Sequence, residues 1–462
     1  MNWLRRQRPS YLYAAVIVAF VIFRCLLFAI TTAGEYRLFK DYGDAVRKSS
    51  LDELYRTRDI EYPQLAVAFG SLVGLASDCL PDWTKHLVRL RPNKWEEPYT
   101  HESQAEHDEQ DRYEAALGFV LFGIDAWCLW LVYAIARRIY PNDEPLARAG
   151  RMLGYVVTTG ACGLILYDRQ DLLVGWLALL ALWALATGRP RLGYAILAAG
   201  AAYKLVPALL LPVWVMAAAA VKCGPNEPRG RFFSTMLGEA AIAALVLAAW
   251  PLLTYTFGGG ERGFHYLKWH SQRGLQLEAP AAFPVLILDP ASELGQGYGS
   301  FNLRGELADR TAKLLRLLMP LAALIAMGVS SRGFLAIKRG YAAVAPHVVA
   351  SSLLIWVAFI TFNKVGSPQY LIWVAPLVPL LPLRRRPERL WAVLILLAMI
   401  ATTLIFPCRY NSDLIGKLVN GDPITWSGPT PLGVILLGVK SLTLLVATAW
   451  LAVLVWRNGD SD

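Results

Sequence analysis

The sequence predicts an all-α fold, a polytopic transmembrane bundle of about twelve helices. Apolar segments of about 17–25 residues recur along the 462-residue chain, and helices of that length cross the hydrocarbon core of a bilayer. The chain is 56% hydrophobic with a mean hydropathy of +0.40, whereas soluble domains are less apolar and carry more charge. Lysine and arginine concentrate in alternate connecting segments, as the positive-inside rule requires. We therefore expect one integral membrane domain over residues 1–462.

The first apolar segment, at about 11–30, is expected to leave the cytoplasm. Arg5, Arg6 and Arg8 precede it, and basic residues favour the cytoplasmic face. Its start resembles a signal peptide, but the apolar run is long, Arg24 interrupts it, and no clean small-residue cleavage site follows. We therefore interpret this segment as a retained first helix.

Residues 31–112 then form the first outer loop. The apolar stretch 63–76 within this loop is short for a membrane span. The next helix, at about 114–136, ends in Arg137 and Arg138, which is typical of a cytoplasmic end. The stretch 63–76 is therefore predicted to be an interfacial helix at the outer surface. If it spanned the membrane instead, the polar residues that follow it would be cytoplasmic.

The later helices alternate between the two faces, because basic loops and polar turns follow one another. They are expected at about 150–166, in a fourth segment before 188, in a hairpin around 203–207, at 235–255, 311–329 and 342–362, in a tenth segment before 384, and on either side of 407–430. The second long outer loop covers 256–309. Arg457 marks a cytoplasmic end, so both termini are predicted to lie inside the cell.

Polar side chains are distributed unequally between the two faces. The predicted cytoplasmic loops are short and mainly basic, whereas the outer loops hold most Asp, Glu, His, Gln and Asn residues. A catalytic site is therefore expected on the outer, periplasmic or extracellular, face of the cell membrane. The cytoplasmic loops account for the net charge of +10, so the expected partner is a lipid bilayer and not a nucleic acid.

The segment beyond the first helix carries the first candidate site residues. Asp41 and Asp44 are candidates for a general base, since a carboxylate can take a proton from an attacking hydroxyl. Asp59, Glu61 and Tyr62 follow, and Tyr62 leads directly into the predicted interfacial helix. We expect these three residues to bind substrate beside the base. The alternative is that individual carboxylates only solvate a loop.

Arg24 lies about two-thirds along the first helix. An arginine at the centre of a membrane costs roughly 2.5–3.5 kcal/mol on insertion scales, so it usually has a partner or a task. Contact with a lipid phosphate is the functional interpretation. Snorkelling to the outer interface and an ion pair with Asp125 of the second helix are the structural interpretations.

Further polar residues lie in separate outer turns. Several are cationic, and converging cations suit a phosphate or pyrophosphate group, although each is also an ordinary charge for an interfacial loop. The substrate-binding candidates in these turns are Arg169, Asp171, Lys204, His270, Arg273, Gln276, Glu278, Lys364, Gln369 and Tyr370. No HExxH, Walker A or GxSxG motif occurs, which disfavours ATP-driven transport and serine hydrolysis.

Five short motifs resemble those of one enzyme superfamily, the GT-C membrane glycosyltransferases. The resemblance is strongest to bacterial glycosyltransferase family 87, the polyprenol-phosphate-mannose-dependent α-mannosyltransferase type. The motifs are an outer-loop Asp followed by RDIEYP at 58–63, similar to YrDxxxEYPPL; RQDL at 169–172, similar to RfDL; KLVP at 204–207, similar to KxxP; SPQYLIW at 367–373, similar to SPQYLLW; and HSQRGLQLE at 270–278, similar to HxxRGLQxES. Gln64 and Ala279 depart from these patterns, and either Asp41 or Asp44 aligns with the base.

This resemblance implies a reaction. A sugar, mannose or another hexose or pentose, would pass from a polyprenyl-phosphate donor to a glycan or glycolipid acceptor, with inversion at the anomeric carbon. The outer-loop Asp would act as general base, and Arg24, Lys204, His270 and Arg273 would stabilise the departing lipid phosphate. The lipid-linked sugar is a co-substrate, so no cofactor is implied, and a requirement for a divalent metal stays open.

A multi-pass transporter or lipid flippase is the alternative function. About twelve spans suit a transporter, and Arg24 and Asp125 could lie on a transport pathway. No internal repeat is visible, however, and the polar residues collect on one face. An outer-face polymerase or ligase that joins lipid-linked glycans would share the topology and differ by its pyrophosphate donor.

Overall fold

The computed structural model describes residues 9–31, 36–89, 104–223, 227–336, 340–383, 385–416, 418–421 and 424–457. Helices dominate this part of the chain, in agreement with the predicted fold class. Arg5, Arg6 and Arg8, from which the sequence predicts the orientation in the membrane, lie outside the described residues.

The regular elements follow one another as a series of helices interrupted by five short strands. The helices are α1 Pro9–Ile30, α2 Tyr36–Lys48, α3 Leu51–Thr57, α4 Gln64–Asp78, α5 Thr84–Arg89, α6 Gln104–Ile139, α7 Pro145–Ala161, α8 Leu172–Ala186, α9 Pro190–Tyr203, α10 Leu211–Cys223, α11 Arg229–Phe257, α12 His265–Gln272, α13 Ala282–Leu288, α14 Glu306–Ala336, α15 Tyr341–Phe362, α16 Tyr370–Val374, α17 Arg386–Thr403 and α18 Pro431–Arg457. The strands are β1 Leu275–Gln276, β2 Glu293–Gly297, β3 Ser300–Arg304, β4 Leu418–Gly421 and β5 Ile424–Trp426.

Eight helical segments of the described chain are long and apolar enough to cross a membrane. They are α1, α6, the segment Val206–Cys223 that includes α10, α11, α14, α15, the segment Arg386–Cys408 that includes α17, and α18. These helices indicate a membrane protein in a lipid bilayer. The predicted count of twelve spans is not confirmed, because the other four predicted spans correspond to the shorter helices α7, α8, α9 and α16.

All four of these helices are shorter than the membrane core. α8 has 15 residues and α9 has 14, so each rises about 21–23 Å, against ~30 Å for the hydrocarbon layer. α16 has 5 residues, and Pro376 and Pro379 follow it closely. Proline lacks an amide hydrogen and clashes with the preceding turn of a helix, so α16 does not continue through these residues.

α9 ends at Tyr203, and Lys204 therefore lies just outside the helix with an extended backbone.

The centre of the bundle is α15, which contacts α8, α10, α14 and α18. Its side chains are buried along most of its length. By contrast, α11 and α14 lie at the periphery and expose large apolar side chains such as Leu245 and Leu317. A continuous apolar surface of this kind suits contact with lipid rather than with water.

The predicted first outer loop is mostly helical where it is described. α2 buries Tyr36, Phe39 and Tyr42 on one face. α2 and α4 approach closely because two glycines meet, and a Cβ on Gly43 would lie only 2.7 Å from the carbonyl carbon of Gly70. α4 covers the apolar stretch predicted to be helical in this loop. The RDIEYP motif forms the turn between α3 and α4 and is held against the bundle by this packing.

A small antiparallel sheet joins two distant segments, and the all-α prediction did not include it. Its strand order is β1-β3-β2-β5-β4. The first three strands belong to the second long loop, and β4 and β5 lie between α17 and α18. The pairing of Leu294 with Trp426 connects the two parts. Strands of two to five residues are too short to show a recognisable alternation of polar and apolar residues.

Candidate functional site

One end of the bundle contains a cavity of about 580 Å³. Its walls come from the α3–α4 turn, the turn before α8, the α9–α10 hairpin, α12 and the residues after it, the β2–β3 hairpin, α14, the end of α15 and the segment between α15 and α16, and the turns after α17. These segments are distant in sequence and meet only in the fold. The predicted site residues that line the cavity are Glu61, Tyr62, Arg169, Lys204, His270, Arg273, Gln276, Glu278, Lys364, Gln369 and Tyr370.

Lys204 is held in a cage of aromatic rings and a carboxylate. Its ammonium donates a hydrogen bond to Asp171 Oδ1 at 2.7 Å, and Asp171 also accepts one from the indole of Trp373. The ammonium lies 5.2 Å from the Trp373 ring, 5.8 Å from Tyr370 and 6.0 Å from Tyr62, within the range of cation–π attraction. Asp171 itself does not line the cavity, so it positions Lys204 from behind.

Arg273 connects two walls of the cavity. Its Nη2 lies 3.4 Å from Glu61 Oε2 and donates a hydrogen bond of 2.9 Å to the backbone oxygen of Tyr298. Lys364 holds the end of α12 in place. Its ammonium donates hydrogen bonds to the backbone oxygen of Ser271, at 2.9 Å, and to that of Arg273. These donors satisfy carbonyls at the C-terminal end of α12 that have no partner within the helix. The geometry therefore fixes the Arg273 guanidinium beside the Glu61 carboxylate.

His270 lines the cavity between three cations. Although the His270 side chain is exposed to the cavity, desolvation by the surrounding protein lowers its pKa to about 4, and the charges of Arg273, Lys204 and Lys364 act in the same direction. The imidazole is therefore neutral at pH 7. In this form the His270 ring offers the cavity a neutral hydrogen-bonding group, whereas the sequence analysis expects it to stabilise a phosphate.

Lys364 also has a lowered pKa, at about 8. Burial is the main cause, and repulsion from Arg316 and Arg273 adds to it. Because about 8 still lies above neutral pH, Lys364 keeps most of its charge at pH 7.

Glu278 and Gln276 line the cavity where it meets the segment that joins α15 to α16. Gln276 Oε1 accepts a hydrogen bond of 3.1 Å from the amide of Gly366. Lys440 of α18 donates to the backbone oxygens of Glu278, at 2.9 Å, and of Gly366, at 3.1 Å. Burial raises the pKa of the Glu278 carboxyl, although Tyr410 donates a hydrogen bond to it. Gly366, the residue directly before the SPQYLIW segment, is thus bonded to the HSQRGLQLE segment through buried polar groups.

Replacing Gly366 by Ala should destabilise this junction. The new Cβ would lie 2.2 Å from the Glu278 oxygen and 2.3 Å from the Ala279 backbone, so one segment must move. Overpacking of this kind costs about 1–3 kcal/mol. We expect a lower thermal unfolding midpoint for G366A in detergent. The control is G328A, because a Cβ on Gly328 would meet nothing within 4 Å. Equal midpoints for the two variants would contradict the close contact.

Two further arginines line the cavity. Arg169 lies 3.3 Å from Asp168 and 5.5 Å from the ring of Phe406. Arg316, exposed on α14, is a lining residue that the sequence analysis missed. A signal was present, because Lys313 and Arg316 interrupt an apolar segment predicted to span the membrane. A charge within a predicted span is costly, so Arg316 was a candidate for the same physical reason as Arg24.

Neither Asp41 nor Asp44 is among the residues that line the cavity. Asp44 faces its own helix, where Lys40 lies 2.6 Å away and Arg47 donates a second hydrogen bond. Burial alone would raise the pKa of the Asp44 carboxyl, but the hydrogen bonds from Lys40 and Arg47 lower it. Asp41 is exposed on α2. The structure therefore separates both predicted base residues from the cationic lining, and the carboxylates in the lining are Glu61 and Glu278.

Asp59 also lies outside the cavity lining. Its carboxylate is half exposed and lies 3.4 Å from Arg262 and 3.6 Å from His265. These contacts connect the α3–α4 turn to Arg262 and to the first residue of α12. Asp59 therefore supports two segments that form the cavity but does not line it.

Arg24 is fully buried within the bundle, away from the cavity lining. Its Nε donates to Asp125 Oδ2 at 2.7 Å, and its other nitrogens bond Val156 O, at 3.2 Å, and Thr159. Tyr167 also donates to Asp125, at 2.7 Å. The structure thus has the ion pair that was one of the structural interpretations of Arg24, and it places Arg24 outside the cavity lining.

The lining combines three kinds of surface. It contains the cations Arg169, Lys204, Arg273, Arg316 and Lys364, uncharged hydrogen-bonding groups such as Gln296 and Asn363, and apolar side chains such as Met319 and Phe359. Cations of this kind bind phosphate groups strongly when water is excluded. Such a cavity can hold an amphipathic anion.

Neither the family models nor the curated proteins with which the chain was compared give a match.

Proposed function

We propose that this protein is a glycosyltransferase that moves a sugar from a polyprenyl-phosphate donor to a glycan or glycolipid acceptor. The sugar is mannose or another hexose or pentose, and the reaction takes place on the outer face of the cell membrane. The observation that carries the proposal is a single cavity in which cations, neutral polar groups and an apolar wall meet beside membrane-length helices. A polyprenyl-phosphate sugar has three matching parts, which are an anionic phosphate, a neutral sugar and an apolar prenyl chain.

The cationic side suits the phosphate of the donor. Lys204 and Arg273 are both fixed by ion pairs, so little entropy is lost when they bind an anion. Their charges stabilise the negative charge that develops on the leaving polyprenyl phosphate. Arg316 lies on α14, which is one of the membrane-length helices, and it suits a phosphate that enters from the bilayer.

The apolar side suits the prenyl chain. Its side chains belong to the α9–α10 hairpin, α14, α15 and the turns after α17. They are Leu205, Val206, Leu209, Leu315, Met319, Phe359 and Phe406. Burial of prenyl methylenes against this wall contributes about 0.8 kcal/mol for each CH₂ removed from water. This wall favours a lipid-linked donor over a soluble sugar nucleotide.

Glu61 is the general base in this proposal, in place of Asp41 or Asp44. It lines the cavity, and its carboxylate lies beside Arg273. The acceptor hydroxyl gives its proton to Glu61 while its oxygen attacks the anomeric carbon. The bond from that carbon to the phosphate oxygen breaks, and the electron pair leaves with the polyprenyl phosphate. Attack from the face opposite the phosphate inverts the anomeric centre, and Glu61 then releases the proton to water.

The test is turnover of defined donors by the purified protein in lipid nanodiscs. Polyprenyl-phosphate mannose and other polyprenyl-phosphate hexoses and pentoses are supplied with a glycolipid acceptor, and released polyprenyl phosphate is quantified. We expect release from at least one donor, with the sugar recovered in inverted linkage on the acceptor. The absence of release from every donor would contradict the proposal, and so would movement of the intact donor between leaflets without cleavage.

Replacing Lys204 by Met should impair turnover of the donor that is used. Loss of one charge that stabilises a developing anion costs about 10²–10³-fold in rate. The matched control is K268M, because Lys268 is exposed on α12 and is not a lining residue. The measurement is kcat for polyprenyl phosphate release. Similar rates for K204M and K268M would show that Lys204 does not act on the leaving group.

A further inference from the structure

The tip of the β2–β3 hairpin is an unusual piece of backbone. Tyr298 and Gly299 form the two-residue turn, with φ angles of 55° and 66°. Such turns need positive φ at both central residues and normally use Asn, Asp or Gly. A bulky aromatic residue in this region is strained, and such strain occurs preferentially at functional sites. Turn formation alone therefore does not explain why a tyrosine occupies this position.

The Tyr298 ring is fixed against α12. It lies 5.2 Å from the ring of Trp269, and the two planes are perpendicular. The Tyr298 hydroxyl lies 3.3 Å from Gln272 Oε1, and its backbone oxygen accepts the hydrogen bond from Arg273. Although these contacts order the ring, Tyr298 is still 36% exposed. The pair of Trp269 and Tyr298 is hereafter called the aromatic rim.

The rim stands at the edge of the proposed donor cavity. Gly299, the neighbour of Tyr298 in the turn, lines the cavity, and so do Gln296 and Ser300 on the two strands. From α12, Ser271 also lines the cavity, two residues beyond Trp269. Most lining residues close to the rim in sequence are uncharged hydrogen-bonding groups, although the Arg273 guanidinium and the Phe301 ring also lie near it in sequence. The apolar wall proposed for the prenyl chain is contributed by other elements.

We propose that the aromatic rim, together with Gln296 and Ser300, binds a neutral sugar ring of the acceptor. This inference rests on the proposed glycosyl transfer and names the acceptor subsite for it. Aromatic faces carry negative charge density and attract the polarised C–H groups of a sugar, while amide and hydroxyl groups bond its hydroxyls. The hairpin places these groups beside Arg273 and hence beside Glu61, where an acceptor hydroxyl must lie to lose its proton.

Direct binding of simple sugars tests the inference without any turnover. Methyl α-mannopyranoside, methyl α-glucopyranoside and a methyl arabinofuranoside are added to the purified full-length protein in nanodiscs, and saturation-transfer NMR is recorded. We expect a signal from at least one glycoside. Tyr298→Gly keeps the backbone conformation and removes the ring, and it should weaken that binding about tenfold, equivalent to ~1.4 kcal/mol. Trp269→Leu tests the other half of the rim, and it also serves if the Gly variant fails to fold.

The control is Trp83→Ala, because Trp83 is exposed and lies outside the cavity lining. It should bind the glycosides as the unmodified protein does. Release of polyprenyl phosphate is measured in parallel, and the rim variants should raise KM for the acceptor while leaving KM for the donor unchanged. No glycoside signal from the unmodified protein, or unchanged binding by both rim variants, would overturn the acceptor subsite. Absence of all donor turnover with intact glycoside binding would instead overturn the proposed transfer.

Discussion

Glu61→Gln should reduce sugar transfer about 10²–10⁴-fold, the range expected when a general base is removed. Gln keeps the size of the side chain and a hydrogen-bond acceptor for Arg273, but it cannot take the proton of the acceptor hydroxyl. Donor binding should therefore survive while kcat falls. The measurement is the rate of transfer to a glycolipid at saturating donor.

The same experiment distinguishes the two assignments of the base. The sequence motifs favour Asp41 or Asp44, whereas the cavity lining contains Glu61. D41N and D44N should therefore keep most of the activity. The matched control is E306Q, because Glu306 is an exposed carboxylate at the start of α14 and is not a lining residue. Loss of transfer in D41N or D44N with an active E61Q would return the base to α2.

Arg24→Met should destabilise the protein by about 3–5 kcal/mol, because it leaves Asp125 as an unpaired buried charge. Both side chains of the ion pair are fully inaccessible to solvent. The double variant R24M/D125L should recover much of this loss, since it removes both charges together. The measurement is the thermal unfolding midpoint in detergent for the single and double variants.

This prediction also decides between two roles for Arg24. If Arg24 holds a lipid phosphate, R24M should fold normally and raise KM for the donor. If Arg24 instead neutralises Asp125, R24M should lower the thermal unfolding midpoint. Tyr167, which also bonds Asp125, directly precedes the Asp168–Asp171 turn that leads to the cavity. A change of KM without any change in the unfolding midpoint would contradict the structural role.

Much of the cavity could be anticipated from sequence because its residues stand in recognisable motifs. Lys204, Arg273 and Gln369 belong to segments that share one predicted face of the membrane, and the structure brings these segments together. The reason is topological: in a helical bundle, turns on one face lie at one end, so polar residues in those turns converge. Helix lengths and the placement of basic residues predict which turns share a face, and the motifs mark the polar residues within those turns.

Other residues could be placed at the site only by the structure. Arg316 is conspicuous as a charge in an apolar segment, but it belongs to no motif, and its position in the cavity lining follows from how α14 packs. Tyr298 is an ordinary loop tyrosine in the sequence, and its role depends on a positive φ angle and a ring contact with Trp269. The small sheet that holds its hairpin depends on pairing with a segment more than a hundred residues away.

The sequence by itself indicated a helical membrane protein, because several of its apolar runs are long enough to cross a bilayer. It also located most of the polar side chains that line the cavity. Only the tertiary structure decided which carboxylate faces the cations. Asp44 turns toward Lys40 and Arg47 on its own helix, while Glu61 lies beside Arg273, far away in the chain. A motif indicates which chemical group a residue carries and which segment it belongs to. The direction in which a carboxylate points depends on the opposite charges that packing places near it, because their attraction falls with distance.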